Sequence, residues 1–191
     1  MRTKLVIVCL ALAVLATGSA LAQTYQGPFK VDYFSNANTA GAPDGTVRFD
    51  NPGTSGGYLC ADIFVFDAAE EMSECCSCYV SPDDLRTLSI NTDLTSNPLN
   101  GVTLSGGVIK VVSSAEVGGV CYAPTSASTV VPTPEIQEWV THIQNSNFSV
   151  TEDETQSADL GVTELRNLEA GCAAIHRVGS GTGLCTCGSG H

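Results

Sequence analysis

Eight cysteines downstream of residue 22 constrain this chain more than any other feature. Of the nine Cys in the sequence, Cys9 falls inside an N-terminal stretch patterned like an export leader. Arg2 and Lys4 make a short basic start, and residues 5–16 are apolar. That run is shorter than the ~20 residues that span a bilayer. Ala20-Leu21-Ala22 then supplies a small-x-small cleavage pattern. The expectation is a signal peptide over 1–22 and a single secreted domain over 23–191, periplasmic or extracellular. The residue after the cut is Gln23, not Cys, which argues against a lipid anchor. No later apolar run has transmembrane length, so no transmembrane segment is expected after cleavage.

In an oxidising compartment an even set of cysteines reads as a disulfide framework. The set is Cys60, Cys75, Cys76, Cys78, Cys121, Cys172, Cys185 and Cys187, with the pairing open. Cys75 and Cys76 are adjacent and are expected to reach different partners. Cys185 and Cys187 share a face if their segment is extended. A local clasp between Cys172 and Cys185 is one option. The rival reading is a metal site drawn from Cys172, His176, Cys185, Cys187 and His191, because Cys172 and His176 fall on one face of a helix. Cys75 and Cys78 make a single C-x-x-C spacing, with no second pair to complete a zinc ribbon and with Tyr79, not His, after it, so the zinc-ribbon and haem-attachment patterns are unmet. The disulfide reading is preferred, with no metal and no cofactor.

Composition excludes further classes. With 20 Asp+Glu against 8 Lys+Arg, the formal charge is −12, the opposite of a nucleic-acid-binding surface. A hydrophobic content of 43% is too high for wholesale disorder.

Along the chain, short apolar runs separated by Gly, Pro and Asn turns come first. Phe29, Val31 and Tyr33 alternate with Lys30 and Asp32, a pattern that suggests a first strand. Further strands are expected over 46–49, 58–66, 86–91 and 108–112. Residues 58–66 (YLCADIFVF) are apolar on both faces and read as a central strand. Asp62 within that run requires a partner if it is buried, and Arg48 and Arg86 are the candidates. Past residue 129 the character changes. Thr133-Pro134-Glu135 looks like a helix start. Ile136, Trp139, Val140 and Ile143 follow at helical spacing, predicting a helix to about residue 145 with Glu135 and Glu138 in water. Residues 149–161 read as an acidic exposed loop. A second helix, capped by Thr163, carries Leu165, Leu168, Cys172 and Ile175 on one stripe and stops at Gly179. The fold class expected is mostly β. It is an antiparallel β-sandwich (23–128) with a two-helix, disulfide-clasped C-terminal extension (129–191), the alternative being α+β.

Motifs for chemistry are few. Gly53-Thr54-Ser55-Gly56-Gly57 matches G-x-S-x-G, but it links two strands and not a strand to a helix, so a Gly-rich turn is expected. His142 is placed on a helix flank near the surface, and His176 within a packed apolar stripe. Asp67, Glu70, Glu71 and Glu74 form one acidic cluster, and Glu152, Asp153, Glu154 and Asp159 another. Neither has the EF-hand spacing, and both read as solvated surface. Asn147-Phe148-Ser149 is a formal glycosylation sequon.

The runs LCADIFVFDAAEEMSECCSC, SPDDLRTLSINTDLTSNPL, GVIKVVSS and GSGTGLCTCGSG resemble secreted, cysteine-containing proteins of acidobacterial genomes. That group has no assigned activity. The resemblance spans most of the mature chain and rests on the Cys-Cys-x-Cys and late Cys-x-Cys layout. It implies a bacterial exported protein and carries over no site residue. Together these features favour a secreted or cell-surface, disulfide-stabilised structural or interaction domain, more readily non-enzymatic than catalytic. Extracellular metal binding and an exported hydrolase are the second and third readings.

Overall fold

The computed structural model describes residues 23–178. The leader, Gly179, Cys185, Cys187 and His191 lie outside these described residues. Ten strands run in chain order: β1 (Thr24–Ser35), β2 (Thr46–Asn51), β3 (Leu59–Asp67), β4 (Met72–Val80), β5 (Asp84–Ser89), β6 (Gly106–Ala115), β7 (Val131–Pro132), β8 (Gln137–Gln144), β9 (Ser149–Glu154) and β10 (Ala158–Gly161). One α-helix, α1 (Val162–Val178), follows them.

The strands form two antiparallel sheets. The first has the order β10-β1-β6-β3-β4, with the short β7 on β6, and the second β5-β2-β8-β9. Alternation decides what each face buries. In β3, Leu59, Ala61, Ile63 and Val65 enter the cluster between the sheets, together with Val47, Phe49, Leu88, Ile109, Val111 and Val140. Phe64, on the opposite face of β3, joins Cys75, Val112, Leu160 and the helix residues Leu165, Leu168, Cys172 and Ile175. The molecule is therefore a β-sandwich with α1 laid on the outer face of the first sheet. Burial of side chains such as Leu165, Leu168 and Ile175 stabilises by about 1.5–3 kcal/mol each. The double-sided apolarity of 58–66 follows from this layering. β3 sits between β6 and β4, covered by the second sheet on one side and by α1 on the other. Gly107, near the start of β6, has no room for a side chain: a Cβ there would lie 2.0 Å from the Phe66 carbonyl oxygen.

Two expectations are corrected. Among the described residues the extension contains one helix, not two, because the segment expected to be helical to residue 145 is β8, paired with β2 and β9. Its β-branched Val140, Thr141 and Ile143 suit a strand. Both of its faces are largely covered, which produces apolar spacing that imitates a helix. At the supposed helix start, Glu135 has φ 133, incompatible with a first helical turn. Residues 149–161, expected to be loop, form β9 and β10. Along β1 the inner face is the polar one. Lys30 is 1% exposed, while Val31 and Tyr33 are 46% and 44% exposed, so the polar side of this strand points inward. α1 begins at Val162, one residue before the expected cap Thr163, within the usual scatter of helix ends.

Candidate functional site

The structure gathers ionisable and sulfur-bearing groups in three places: beneath α1, along the side where β1 meets β8, and at the β4–α1 contact.

Asp62 lies on the α1-facing side of β3 and is fully buried. Its partners are hydroxyls, not the guanidinium of Arg48 or Arg86. Ser77 Oγ on β4 donates at 2.6 Å and Ser114 Oγ on β6 donates at 2.6 Å. Arg48 instead pairs with Glu152 at 2.8 Å on the second sheet. Burial pushes the Asp62 carboxyl up to about 7, the two hydroxyl bonds opposing it and the nearby Glu169 adding to it. Glu169 on α1 is itself raised by burial, with Arg166 acting against the shift. Its Oε1 is buried without a hydrogen-bond partner.

The second place is a polar seam between the sheets. β1 and β8 belong to different sheets, so side chains and not a backbone ladder join them here. At one end Ser35 Oγ and Asn36 Nδ2 donate to the Ile143 carbonyl at 2.6 and 2.8 Å. Next, Tyr33 stacks on His142 with ring centroids 4.3 Å apart. The same imidazole places Nε2 3.4 Å from Asp32 Oδ1. Thr155 Oγ1 donates to Asp32 Oδ2 at 2.7 Å. Lys30 Nζ donates to Ser157 Oγ at 3.1 Å. Thr155 and Ser157 stand in the connection from β9 to β10, which closes this side of the sandwich from sheet to sheet.

Glu138 completes the seam from β8. It is 0% exposed, and neither carboxyl oxygen has a hydrogen-bond partner. Burial drives its acidity up to about 8, Lys30 opposing and Asp32 adding. At neutral pH Glu138 is therefore mostly the neutral acid. Lys30 is shifted down by burial, against the pull of Glu138 and Glu154. Desolvation pushes both toward their uncharged forms, as expected for ionisable groups taken out of water without a close ion pair.

The third place is covalent. Cys60 on β3 bonds Cys121, with Cα atoms 5.6 Å apart, and Cys75 on β4 bonds Cys172 on α1, with Cα atoms 5.7 Å apart. Cys172 thus staples helix to sheet and does not clasp Cys185 locally. Cys76 and Cys78 are disulfide-bonded as well. Sequence separations of 61 and 97 correspond, by chain entropy alone, to about 4–5 kcal/mol for each bridge. His176 follows Cys172 by one helical turn. The ligand atoms of Cys75, Cys172 and His176 all lie within 4.8 Å of one another, the only such group of three among the described residues. Both sulfurs are committed to the disulfide, so thiolate ligation there requires that this bridge first be reduced. Of the other metal candidates, Cys185, Cys187 and His191 lie outside the described residues.

The remaining motifs fall into place individually. Ser55 is exposed in a turn closed by Gly56 N–H donating to the Gly53 carbonyl at 3.0 Å, with both glycines at φ +71. It joins β2 to β3 with no helix behind it. The two described histidines exchange their expected settings: His142 is buried and His176 exposed. Asp67 is a turn residue, its Oδ1 accepting from Ala69 and Glu71 N–H at 2.8 and 3.0 Å. Glu74 leaves that surface cluster altogether. It is buried on β4, accepts from Asn97 N–H at 2.8 Å, and is pushed up to about 7 by burial. Asn147 and Ser149 are exposed at the β8–β9 turn.

The seam is what sequence reasoning missed. Its signal was the alternation of Lys30 and Asp32 opposite Val31 and Tyr33, taken with Glu138 and His142 spaced by four in a segment that is in fact a strand.

Fold and bridges together define a disulfide-stabilised β-sandwich domain carrying one C-terminal helix. Comparison with protein-family models, with curated proteins and with solved structures gave no match.

Proposed function

We propose that this chain is an exported structural or interaction domain, secreted or held at the cell surface of a bacterium, with a non-catalytic role. The observation that carries this reading is that all six described cysteines are disulfide-bonded. Such a framework persists where no thiol pool reduces it, in the periplasm or outside the cell. The leader pattern over 1–22, the acidic composition and the resemblance to acidobacterial secreted proteins support it. So does the setting of the buried acids. Asp62 and Glu138 lie beneath packed layers, and the G-x-S-x-G serine sits in an exposed turn.

The test is to isolate the protein from the exported fraction, alkylate it denatured but unreduced, and measure its intact mass. A chain beginning at Gln23 with no label is the expected result. Retention of Met1, or labelling of two or more cysteines, overturns the reading. A second reading, extracellular metal binding, draws on the convergence of Cys75, Cys172 and His176. Labelling of Cys75 and Cys172 together with stoichiometric zinc or copper would promote it.

A further inference from the structure

The C-terminal part of α1 sets an imidazole against a sulfur bridge. Cys172 and His176 stand four apart on the helix and so share a face. Cys172 on that face is bonded to Cys75 of β4. His176 is exposed, and it makes no hydrogen bond or ion pair among the described residues. Its ring still comes within 4.8 Å of both sulfurs, ligand atom to ligand atom. We infer, resting on the same convergence as the metal reading above, that the Cys75–Cys172 bridge and a zinc ion are alternative fasteners of α1. When a thiol reductant opens the bridge, Cys75, Cys172 and His176 take up one zinc ion and the helix stays on the sheet.

The donor set selects the ion. Two thiolates and an imidazole suit zinc. No carboxylate joins the group among the described residues, so it lacks the oxygen ligands that calcium and magnesium require. Three protein ligands leave one tetrahedral position for water, and the exposed imidazole marks the side from which water enters.

Spacing agrees. Two donors on one tetrahedral zinc stand roughly 3.5–3.8 Å apart, given Zn–S and Zn–N lengths of about 2.3 and 2.1 Å. Once the S–S bond opens, rotation of the two cysteine side chains parts the sulfurs toward that distance. All three residues sit on regular elements. Cys75 is paired with Phe64 of β3 inside the first sheet, and the other two lie on a single helix. The sulfurs are buried among Phe64, Leu160, Leu168 and Ile175, a dry setting that strengthens the attraction between the ion and its thiolates.

The chemistry balances by exchange. The S–S bond takes two electrons from two thiol equivalents, which leave as their own disulfide. Zinc, which has no redox chemistry of its own, then displaces the protons of Cys75 and Cys172, and two protons go to solvent.

The test equilibrates the full exported chain, without oxygen, in glutathione buffers of graded [GSH]²/[GSSG] ratio, with and without a fixed level of free zinc. Arg166 and Arg177 bracket a tryptic peptide, 167–177, in which Cys172 is the lone cysteine. Alkylation of Cys172 after an acid quench therefore reports this bridge. Zinc binds the open form and not the bridged one, so it should lower the ratio at half reduction by tenfold or more. His176→Ala, a change at an exposed position, should shrink that shift below threefold. No shift in the parent chain overturns the inference, and so does an equal shift in the variant, which would put the ion elsewhere. Amide exchange of 167–177 supplies a second measurement. The peptide should stay protected in the reduced, zinc-loaded chain, and exchange at the unfolded rate would mean that zinc holds a released segment and no docked helix. The starting material is the bridged chain that the export reading expects, so failure of that reading shows on isolation, before zinc is added.

Discussion

The two flanks of the first sheet are secured by different means. On the flank under α1, a covalent bond from Cys75 to Cys172 fixes the helix, and the buried acid beneath it, Asp62, has a hydrogen bond on each carboxyl oxygen. On the β1–β8 flank nothing covalent joins the sheets among the described residues. The buried acid there, Glu138, has no hydrogen-bond partner on either oxygen. Each carboxyl is raised by the same desolvation, to about 7 for Asp62 and about 8 for Glu138. Two hydroxyl bonds oppose the rise at Asp62, whereas at Glu138 the opposing influence is the charge of Lys30. A buried acid can thus be accommodated by giving its charge partners or by leaving it uncharged, and this protein does both within one fold.

The contrast can be broken most strongly at the disulfide. Replacing Cys75 and Cys172 together by Ala should cost about 2–5 kcal/mol, read as a lower urea midpoint, and should exceed any single change in the β1–β8 seam. A smaller loss than that of a seam substitution would show that packing, not the bridge, holds α1.

Next in size is the pH response. Asp62, Glu74 and Glu138 are all raised in the folded state, so each keeps its proton where the unfolded chain has released it. Their contribution is fully present below about pH 4, near ordinary carboxyl values, and is lost as pH rises through about 7 and 8. Denaturation midpoints should fall steadily across that window. A flat or rising profile would contradict the assigned acidities.

Removing the hydroxyls should be milder. Ser77→Ala or Ser114→Ala should each cost about 1–3 kcal/mol by leaving a buried acceptor short of a donor. Each should also move the Asp62 titration upward, followed by its carboxyl NMR shift.

The smallest effect belongs to Glu138→Gln. The neutral amide resembles the neutral acid already present, so stability at neutral pH should change by less than about 1 kcal/mol. The upper part of the pH response should vanish with it. A large loss at neutral pH would mean that Glu138 is ionised and paired.

What the sequence disclosed and what it hid divide along the same two flanks. Around β3 the reading was sound because a short run that is apolar on both faces, like 58–66, marks a strand covered from both sides. The need of Asp62 for a partner was legible; the identity of the partner was not. Serine hydroxyls on the two neighbouring strands leave no mark in local pattern, and Arg48 and Arg86 were simply the nearest cations to consider. Around β8 the reading failed for a physical reason, and in β1 alternation shows that two faces differ without saying which one is inner. In β1 the inner face carries Lys30 and Asp32, because β8 supplies Glu138 and His142 opposite them and the β9–β10 connection supplies Thr155 and Ser157. Such long-range matching is visible only once the strands are placed. The same matching misled the reading of β8, whose covered faces filled the gaps of a strand pattern until it looked helical.

The far rim of the second sheet has a consequence of its own. All six residues of β9 are exposed, and Glu152, Asp153 and Glu154 follow one another along it, with Arg48 offsetting Glu152. A second molecule approaching to extend this sheet would bring the same acidic strand against it, and like charges repel over about 8–10 Å at ordinary ionic strength. β9 thus acts as a built-in spacer between neighbouring molecules. It is most effective in dilute salt and weakens as added ions shorten that range, so the tendency of this protein to stay dispersed in a crowded medium is tied to the salt around it.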